Sequence, residues 1–131
     1  MLILVGAAPA GQLDVQLTGL RSAKGFVRLC LTPNPGRFPD CTGDPAAISR
    51  SLPASSSSTR FDGVPSGDYA VAIIHDENGN GRLDTFAGVP REGFGFSRNP
   101  KISFGPPRFD AASFAIGTAP VRQEVRIRYF L

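Results

Sequence analysis

Residue types that most often carry chemistry are scarce in this chain. Its 131 residues include no tryptophan, one histidine, one methionine and two cysteines. A zinc site needs more than two thiols, and no histidine stands near these two to complete one. A single histidine more often makes a structural hydrogen bond at the end of a strand than takes part in catalysis. We therefore expect neither a cysteine-type zinc site nor a histidine-based active site.

Charge of one sign is also not concentrated anywhere in the sequence. There are 14 basic and 11 acidic residues, which give a net charge of +3, and the basic residues are scattered. Because nucleic-acid binding requires a concentrated basic face, we expect no nucleic-acid partner. The apolar run at the N-terminus is too short to cross a bilayer, so we expect no transmembrane segment.

The first residues, MLILVGAAPAG, combine that apolar run with the small-residue sequence Ala8-Pro9-Ala10. This pattern is typical of the end of a secretory signal peptide, although no basic residue precedes it. We expect residues 1–11 to be the remnant of a signal or a disordered N-terminus, with an apolar first strand as the alternative. Residues 12–131 would then form one domain that begins near Gln12 and is periplasmic or secreted.

Glycine and proline are abundant, with 15 and 12 residues, and ten phenylalanines supply bulky apolar side chains. This composition favours many turns and few helices. Alternation of apolar and polar residues predicts strands at 12–18, 26–32, 59–64, 68–75 and 121–129. Two further candidates, 101–104 and 109–116, show a weaker pattern.

The arrangement of these strands is predicted from their patterns. We expect 12–18 and 26–32 to pair as a hairpin, and a short helical turn near 44–51, because Asp44-Pro45 suits a helix start. Strand 68–75 is apolar on both faces, which indicates a central strand. Seven short strands without a long helix predict an all-β, single-domain antiparallel β-sandwich. The sequence VPSGDYAVAI at 64–73 resembles transthyretin-like and related immunoglobulin-like sandwich domains.

The stretch 75–99, HDENGNGRLDTFAGVPREGFGFSRN, does not alternate. Its oxygen-bearing side chains stand at offsets 1, 3, 5 and 9, with a glycine at offset 6, as in the front of an EF-hand loop. Ala87 stands where an EF-hand has its bidentate glutamate, and Glu92 is the nearest replacement. We expect a weak structural Ca²⁺ site, with a Kd of about 10⁻⁴–10⁻³ M. The predicted ligands are Asp76, Asn78, Asn80, the carbonyl of Arg82, Asp84 and Glu92.

A simpler interpretation of the same loop remains open. Asn78-Gly79 and Asn80-Gly81 are both pairs that form tight turns. In that case Asp76 and Asp84 are merely solvated or cap the turns, and no cation is bound.

The second half of the stretch is rich in aromatic and basic side chains. One interpretation is that its rings fold back over the sheet as a lid. The other is an exposed platform for a protein or glycan partner, which would make the protein a carbohydrate- or peptide-binding module that uses loop 86–109. The residues of this platform are Phe86, Arg91, Phe94, Phe96 and Arg98.

Cys30 and Cys41 are separated by ten residues rich in turn formers. In an exported protein a disulfide is the default interpretation, and two buried free thiols are the alternative. A catalytic triad can be assembled on paper from Ser97, His75 and Asp76, but no nucleophile elbow surrounds the serine. We therefore expect a non-enzymatic monomer, with a hydrolase around His75 as a lesser alternative.

Four ungapped motifs resemble the bacterial family known as domain of unknown function 2141. They are GDYA at 67–70, HDENGNGRLD at 75–84, PREGFGFS at 90–97 and GPPRF at 105–109. Members of that family are typically small exported proteins, and the family has no established activity. The resemblance therefore implies export and leaves the function open. The cysteine pair lies outside these motifs, so the disulfide is predicted from this sequence alone.

Overall fold

A computed structural model of the chain describes residues 10–79, 85–86, 89–90, 92–102 and 105–130. These residues are mostly in strands, with a single helical turn. The elements are β1 (Ala10–Thr18), β2 (Phe26–Thr32), β3 (Ile48–Pro53), β4 (Ser58–Pro65), β5 (Gly67–Asp76), β6 (Thr85–Phe86), β7 (Val89–Pro90), β8 (Gly93–Phe96), α1 (Phe109–Ala112), β9 (Phe114–Ile116) and β10 (Val121–Arg126).

Two sheets form the architecture. The first has the order β10-β1-β4, and the second has the order β3-β2-β5-β8, with β9 paired to the start of β5. Strands β6 and β7 pair antiparallel with each other, Thr85 with Pro90 and Phe86 with Val89. The predicted all-β sandwich is thereby confirmed.

The main core lies between the sheets because each strand turns alternate apolar residues inward. Strand β1 shows this alternation, with every second residue from Gly11 to Leu17 buried. The buried core residues are Leu13, Val15, Leu17, Val27, Leu29, Leu31, Ala54, Phe61, Val64, Tyr69, Val71, Ile73, Ile116, Val125 and Ile127.

A second cluster covers the outer face of the larger sheet. It consists of Cys30, Ala70, Ala72, Phe94, Phe96 and Ala112, with Phe38, Cys41, Ile102 and Phe109 packed against them. Strand β5 is therefore buried on both faces, as predicted for a central strand. Cys30 and Cys41 form a disulfide with a Cα–Cα distance of 5.6 Å, which confirms that prediction and fixes segment 33–47 against the sheet.

The predicted hairpin of 12–18 with 26–32 is wrong. Strand β1 pairs antiparallel with β4 and parallel with β10, whereas β2 pairs with β3 and β5 in the other sheet. An alternating pattern shows that a strand faces a core, but it does not show which neighbour donates its hydrogen bonds. The short connection at 19–25 crosses between the sheets instead of turning back within one.

Three local predictions also differ from the structure. Residues 48–53 form edge strand β3 instead of a helical turn, and Asp44 accepts hydrogen bonds from the Thr32 hydroxyl (2.6 Å) and the Ala46 amide (3.1 Å). Segment 109–116 begins as helix α1 before strand β9, and residues 101–102 lie outside any strand. Residues 103–104 are outside the described residues.

Strand β1 begins at Ala10, two residues before the expected start of the domain, and Ala10 pairs with Pro65. Residues 1–9, which hold most of the expected signal remnant, lie outside the described residues. Within the described part of the chain, the helices are too short and insufficiently apolar to cross a membrane.

Candidate functional site

The loop singled out in the sequence leaves the sandwich between β5 and β8. The last pair of this antiparallel ladder is His75 with Gly93. Asp76 and Glu92 each lie one residue beyond that pair, and their exposed fractions are only 0% and 4%. We call these two residues the neck of the loop. Two carboxylates are therefore buried where the loop begins and ends.

Asp76 is bound by an arginine from the neighbouring strand. Its Oδ2 accepts a hydrogen bond from Nε of Arg28 at 2.8 Å. Nη1 of Arg28 donates to the hydroxyl of Ser51 at 2.9 Å, and the guanidinium lies 5.4 Å from the ring centre of Phe26. A buried carboxylate is costly unless a cation or several donors compensate its charge. Arg28 provides that compensation here.

The first residues of the loop form a tight turn. The amide of Gly79 donates to the carbonyl of Asp76 at 3.3 Å, and Gly79 has a φ of 69°. A glycine is suited to this left-handed conformation because it has no Cβ. The side chain of Asn78 is exposed. Asn78-Gly79 thus forms the turn that the simpler interpretation describes.

The remaining predicted ligands Asn80, Arg82 and Asp84 lie outside the described residues. Among the residues that are described, no three His, Cys, Asp or Glu side chains are grouped to hold a metal ion. The calcium site therefore stays a prediction, with Asp76 and Glu92 placed at the neck.

His75 is fully buried beside the neck and makes structural hydrogen bonds. Its Nε2 lies 2.8 Å from the carbonyl of Lys24, and its Nδ1 lies 2.7 Å from the hydroxyl of Tyr129. Because a carbonyl only accepts, Nε2 carries a proton, and Nδ1 of a neutral ring accepts from Tyr129. The Tyr129 oxygen in turn accepts from the amide of Arg21 at 3.0 Å. Burial raises the pKa of Tyr129, which keeps its hydroxyl protonated.

The side chain of Arg21 ties the crossing segment 19–25 to the start of the loop. Its Nε and Nη2 donate to Oε1 of Glu77 at 2.9 and 2.5 Å, and Ser22 donates to Oε2 at 2.9 Å. The guanidinium also lies over the ring of Tyr129, 4.3 Å from its centre. The hydrogen bond from Arg21 is the main reason why the pKa of Glu77 is lowered. The loop is thus anchored at Glu77 as well as at Asp76.

The triad sketched from the sequence is not assembled. Ser97 donates to the carbonyl of Ala112 at 2.5 Å and accepts from the amide of Val71 at 2.9 Å. The Ser97 amide also donates to the carbonyl of Val71, four residues before His75 on β5. Four residues of strand span about 13 Å, so Ser97 lies too far along the ladder to meet His75. The geometry required by the hydrolase alternative is absent from these three residues.

The phenylalanines of β8 lie in the second core cluster, not on an exposed surface. Phe94 and Phe96 are 8% and 9% exposed. The centre of the Phe96 ring lies 5.8 Å from that of Phe38, and the Phe94 ring lies 5.1 Å from Phe130. These two rings occupy the positions that the lid interpretation describes.

Alternation along β8 explains why the rings of Phe94 and Phe96 lie in this cluster. In the sequence GFGF both phenylalanines point outward, and the two glycines face the C-terminal strand. A Cβ on Gly93 would lie 2.4 Å from the ring of Tyr129, and one on Gly95 would lie 2.7 Å from the carbonyl oxygen of Arg126. The glycines therefore allow β10 of the first sheet and the residues that follow it to approach β8 closely.

Arg98 of the predicted platform is exposed, but its Nη1 donates to the carbonyls of Asp110 and Ser113 at 3.2 and 3.3 Å. The backbone of Phe86 belongs to β6, and Arg91 lies outside the described residues.

The sequence had not singled out Arg28. Its signal is a charged residue at an outward position of a strand, between the buried Val27 and Leu29.

Fold and site together define a small β-sandwich with a buried polar neck at the two ends of the loop between β5 and β8. The match of a family model to residues 15–124 shows that the chain belongs to the family described as uncharacterized protein conserved in bacteria, domain of unknown function 2141. No curated protein and no solved structure matches the chain significantly. The matched range contains the four motifs and both cysteines, and it confirms the resemblance found in the sequence.

Proposed function

We propose that this protein is an exported, non-enzymatic β-sandwich whose loop between β5 and β8 binds a structural calcium ion weakly. The observation that carries this proposal is the neck, where Asp76 and Glu92 are buried at the two ends of the loop. The loop itself contributes Asn78, Asn80 and Asp84 between them. Oxygen ligands of these kinds suit a hard cation such as Ca²⁺.

The ion pair with Arg28 is compatible with a role of Asp76 as a ligand, because a carboxylate has two oxygens and about four lone-pair sites. Glu77 is already engaged by Arg21 and Ser22, so it is the less suitable of the two adjacent acids. A cation held by the neck and by Asp84 would tie the middle of the loop to its two ends.

Export is supported by the disulfide between Cys30 and Cys41, since such bonds persist in oxidising compartments. The resemblance to small exported proteins points the same way. Weak calcium binding also fits this location, because extracellular modules bind Ca²⁺ in the 10⁻⁴–10⁻³ M range. A structural role is further favoured by His75 and Ser97, which are both engaged in hydrogen bonds that join elements of the fold.

Thermal unfolding of the full chain in EGTA and in 10 mM CaCl₂ tests the calcium proposal. A ligand that binds only the native state stabilises it by RT ln(1 + [L]/Kd), which is about 2.7 kcal/mol for a Kd of 0.1 mM. For a chain of this size the unfolding temperature should rise by roughly 10 °C. Asp84→Ala should lose this rise. We choose Asp84 because removal of Asp76 would also leave Arg28 without its ion pair.

Asp62→Ala is the matched control, because Asp62 is an exposed carboxylate on β4 of the other sheet. This variant should keep the full rise in calcium. An unchanged unfolding temperature of the wild type at 10 mM CaCl₂ would overturn the calcium site. An equal rise in wild type and Asp84→Ala would show that calcium binds elsewhere on the surface.

A further inference from the structure

A groove of about 410 Å³ lies on the outer face of the larger sheet, beside the disulfide. Its floor consists of two cross-strand rows that run over β3, β2 and β5. One row is Ser51, Arg28 and Ile74, and the other is Ser49, Cys30 and Ala72. Small side chains in the second row leave space above the sheet. The volume lies in the range typical of small-molecule sites.

The disulfide supplies one wall of this groove. Because Cys41 is bonded to Cys30, residues Pro39, Asp40 and Thr42 are held over the edge of the second row. The disulfide therefore shapes this wall of the groove covalently. The lining is mixed, with hydroxyls and charged groups beside the apolar Ala72 and Ile74.

Arg28 is fixed in an orientation that leaves donors for a ligand. Its Nε is bound to Asp76 and its Nη1 to Ser51, so the plane of the guanidinium is held. Among the residues that the structure describes, none accepts a hydrogen bond from Nη2 of Arg28. A planar guanidinium with two adjacent nitrogens binds a carboxylate by two parallel hydrogen bonds. Since the Arg28 side chain is about one-third exposed, such a ligand can reach it.

The opposite wall carries a negative charge. Asp40 is exposed, and its Oδ1 accepts a hydrogen bond from the amide of Thr42 at 2.9 Å. Hydrogen bonds from Thr42 lower the pKa of Asp40, so this carboxylate is ionised at neutral pH. Strand spacing and the disulfide place the Cα atoms of Arg28 and Asp40 within about 16 Å of each other. Two opposite charges thus face a common space.

We propose that this groove binds an α-amino acid with an apolar side chain. The carboxylate of the ligand is held by Arg28 and Ser51, and its ammonium group lies on the side of Asp40. Its side chain covers Ala72 and Ile74 on the floor. A simple anion suits the groove less well because Asp40 would repel it and Asp76 already neutralises Arg28. None of the residues that line the groove is a predicted calcium ligand, and the groove is linked to the neck only through the ion pair of Arg28 with Asp76.

Titration of the ¹⁵N-labelled full chain with L-leucine, followed by NMR, tests this inference. Saturable shifts are expected at the amides of Thr42, Ser49 and Ser51 below 20 mM ligand. N-acetyl-L-leucine lacks the ammonium group and L-leucinamide lacks the carboxylate, so each should bind at least tenfold more weakly. Absence of saturable shifts, or equal binding of the three compounds, would overturn the proposal.

Two variants locate the site. Ser49→Leu fills the groove without altering the ion pair of Arg28 and should abolish the shifts, whereas Ser58→Leu makes the same change on an exposed position of β4 and should not. Asp40→Asn should weaken the binding of leucine and abolish the preference for leucine over N-acetyl-L-leucine. Normal leucine binding by Ser49→Leu or by Asp40→Asn would contradict the assignment. Because Asp40 is exposed, its variant tests the site even if Ser49→Leu fails to fold.

Discussion

At Gly95, β8 and the C-terminal strand approach each other closely from the two sheets. A Cβ added there would lie 2.7 Å from the carbonyl oxygen of Arg126 and 2.8 Å from a methyl carbon of Val125. These atoms cannot easily move away. The Arg126 amide is bound to Asn99, and Ile127 donates to the carbonyl of Thr18. We therefore expect Gly95→Ala to force the two sheets apart.

The magnitude follows from two opposing contributions. Overpacking of a filled core costs about 1–3 kcal/mol, and the contact with a fixed backbone oxygen places Gly95→Ala near the upper end. Loss of a glycine also restricts the unfolded chain, which stabilises the protein by about 0.4–1 kcal/mol. The net loss should be about 2 kcal/mol. At roughly 3–5 °C per kcal/mol, the unfolding temperature should fall by about 8 °C.

Gly117→Ala provides the matched control, since nothing lies within 4 Å of a Cβ built on Gly117. That variant should be as stable as the wild type or slightly more stable. Urea unfolding at 25 °C and calorimetry measure both free energies, and an unchanged m value would show that the unfolded states are comparable. If Gly95→Ala were as stable as Gly117→Ala, the close approach of β8 to the C-terminal strand would be refuted.

Two further predictions concern the aromatic strand and the anchor of the loop. Phe96→Ala should lower the free energy of unfolding in urea by about 3 kcal/mol, because the ring is buried. The control Phe26→Ala, at a ring that is 42% exposed, should lower it by less than about 1 kcal/mol. Equal losses would contradict the packing of Phe96. The pKa of Glu77 is lowered from its usual value of 4.5, so its ion pair with Arg21 stabilises the fold above that pH and is lost as pH falls through the lower, folded pKa. Glu77→Gln should therefore lower the unfolding temperature at pH 7 but not at pH 2.5, and a constant difference over this range would argue against the ion pair.

The alternation of apolar and polar residues was enough to predict the class of fold. It located β1, β2, β5 and β10 closely, because each of these strands turns one face to a dry core. The same alternation could not distinguish hairpin from sandwich pairing, since β1 and β2 look alike whether they share a sheet or face each other across it. Edge strand β3 was missed because Arg50 interrupts its inward face between Ile48 and Leu52.

At the candidate site, too, the sequence indicated the local features and not the contacts between distant residues. The order of oxygen donors and glycines after β5 indicated a cation loop, and the spacing of the cysteines indicated a disulfide, because both depend on residues that are near in sequence. The burial of Asp76 depends on Arg28, which is 48 residues away along the chain. No local pattern shows that pairing.

The sequence by itself determined the features that depend on neighbouring residues: the alternation of the strands, the turn at Gly79 and the closure of the disulfide loop. The pairing of the strands depends on contacts between residues tens of positions apart, so only the packing of the whole core decided it. Phe94 and Phe96 illustrate this, because the sequence left both a lid and a binding platform open until Gly93 and Gly95 were placed against the C-terminal segment. The groove beside the disulfide exists only because β2, β3 and β5 bring small side chains from three distant segments into one row.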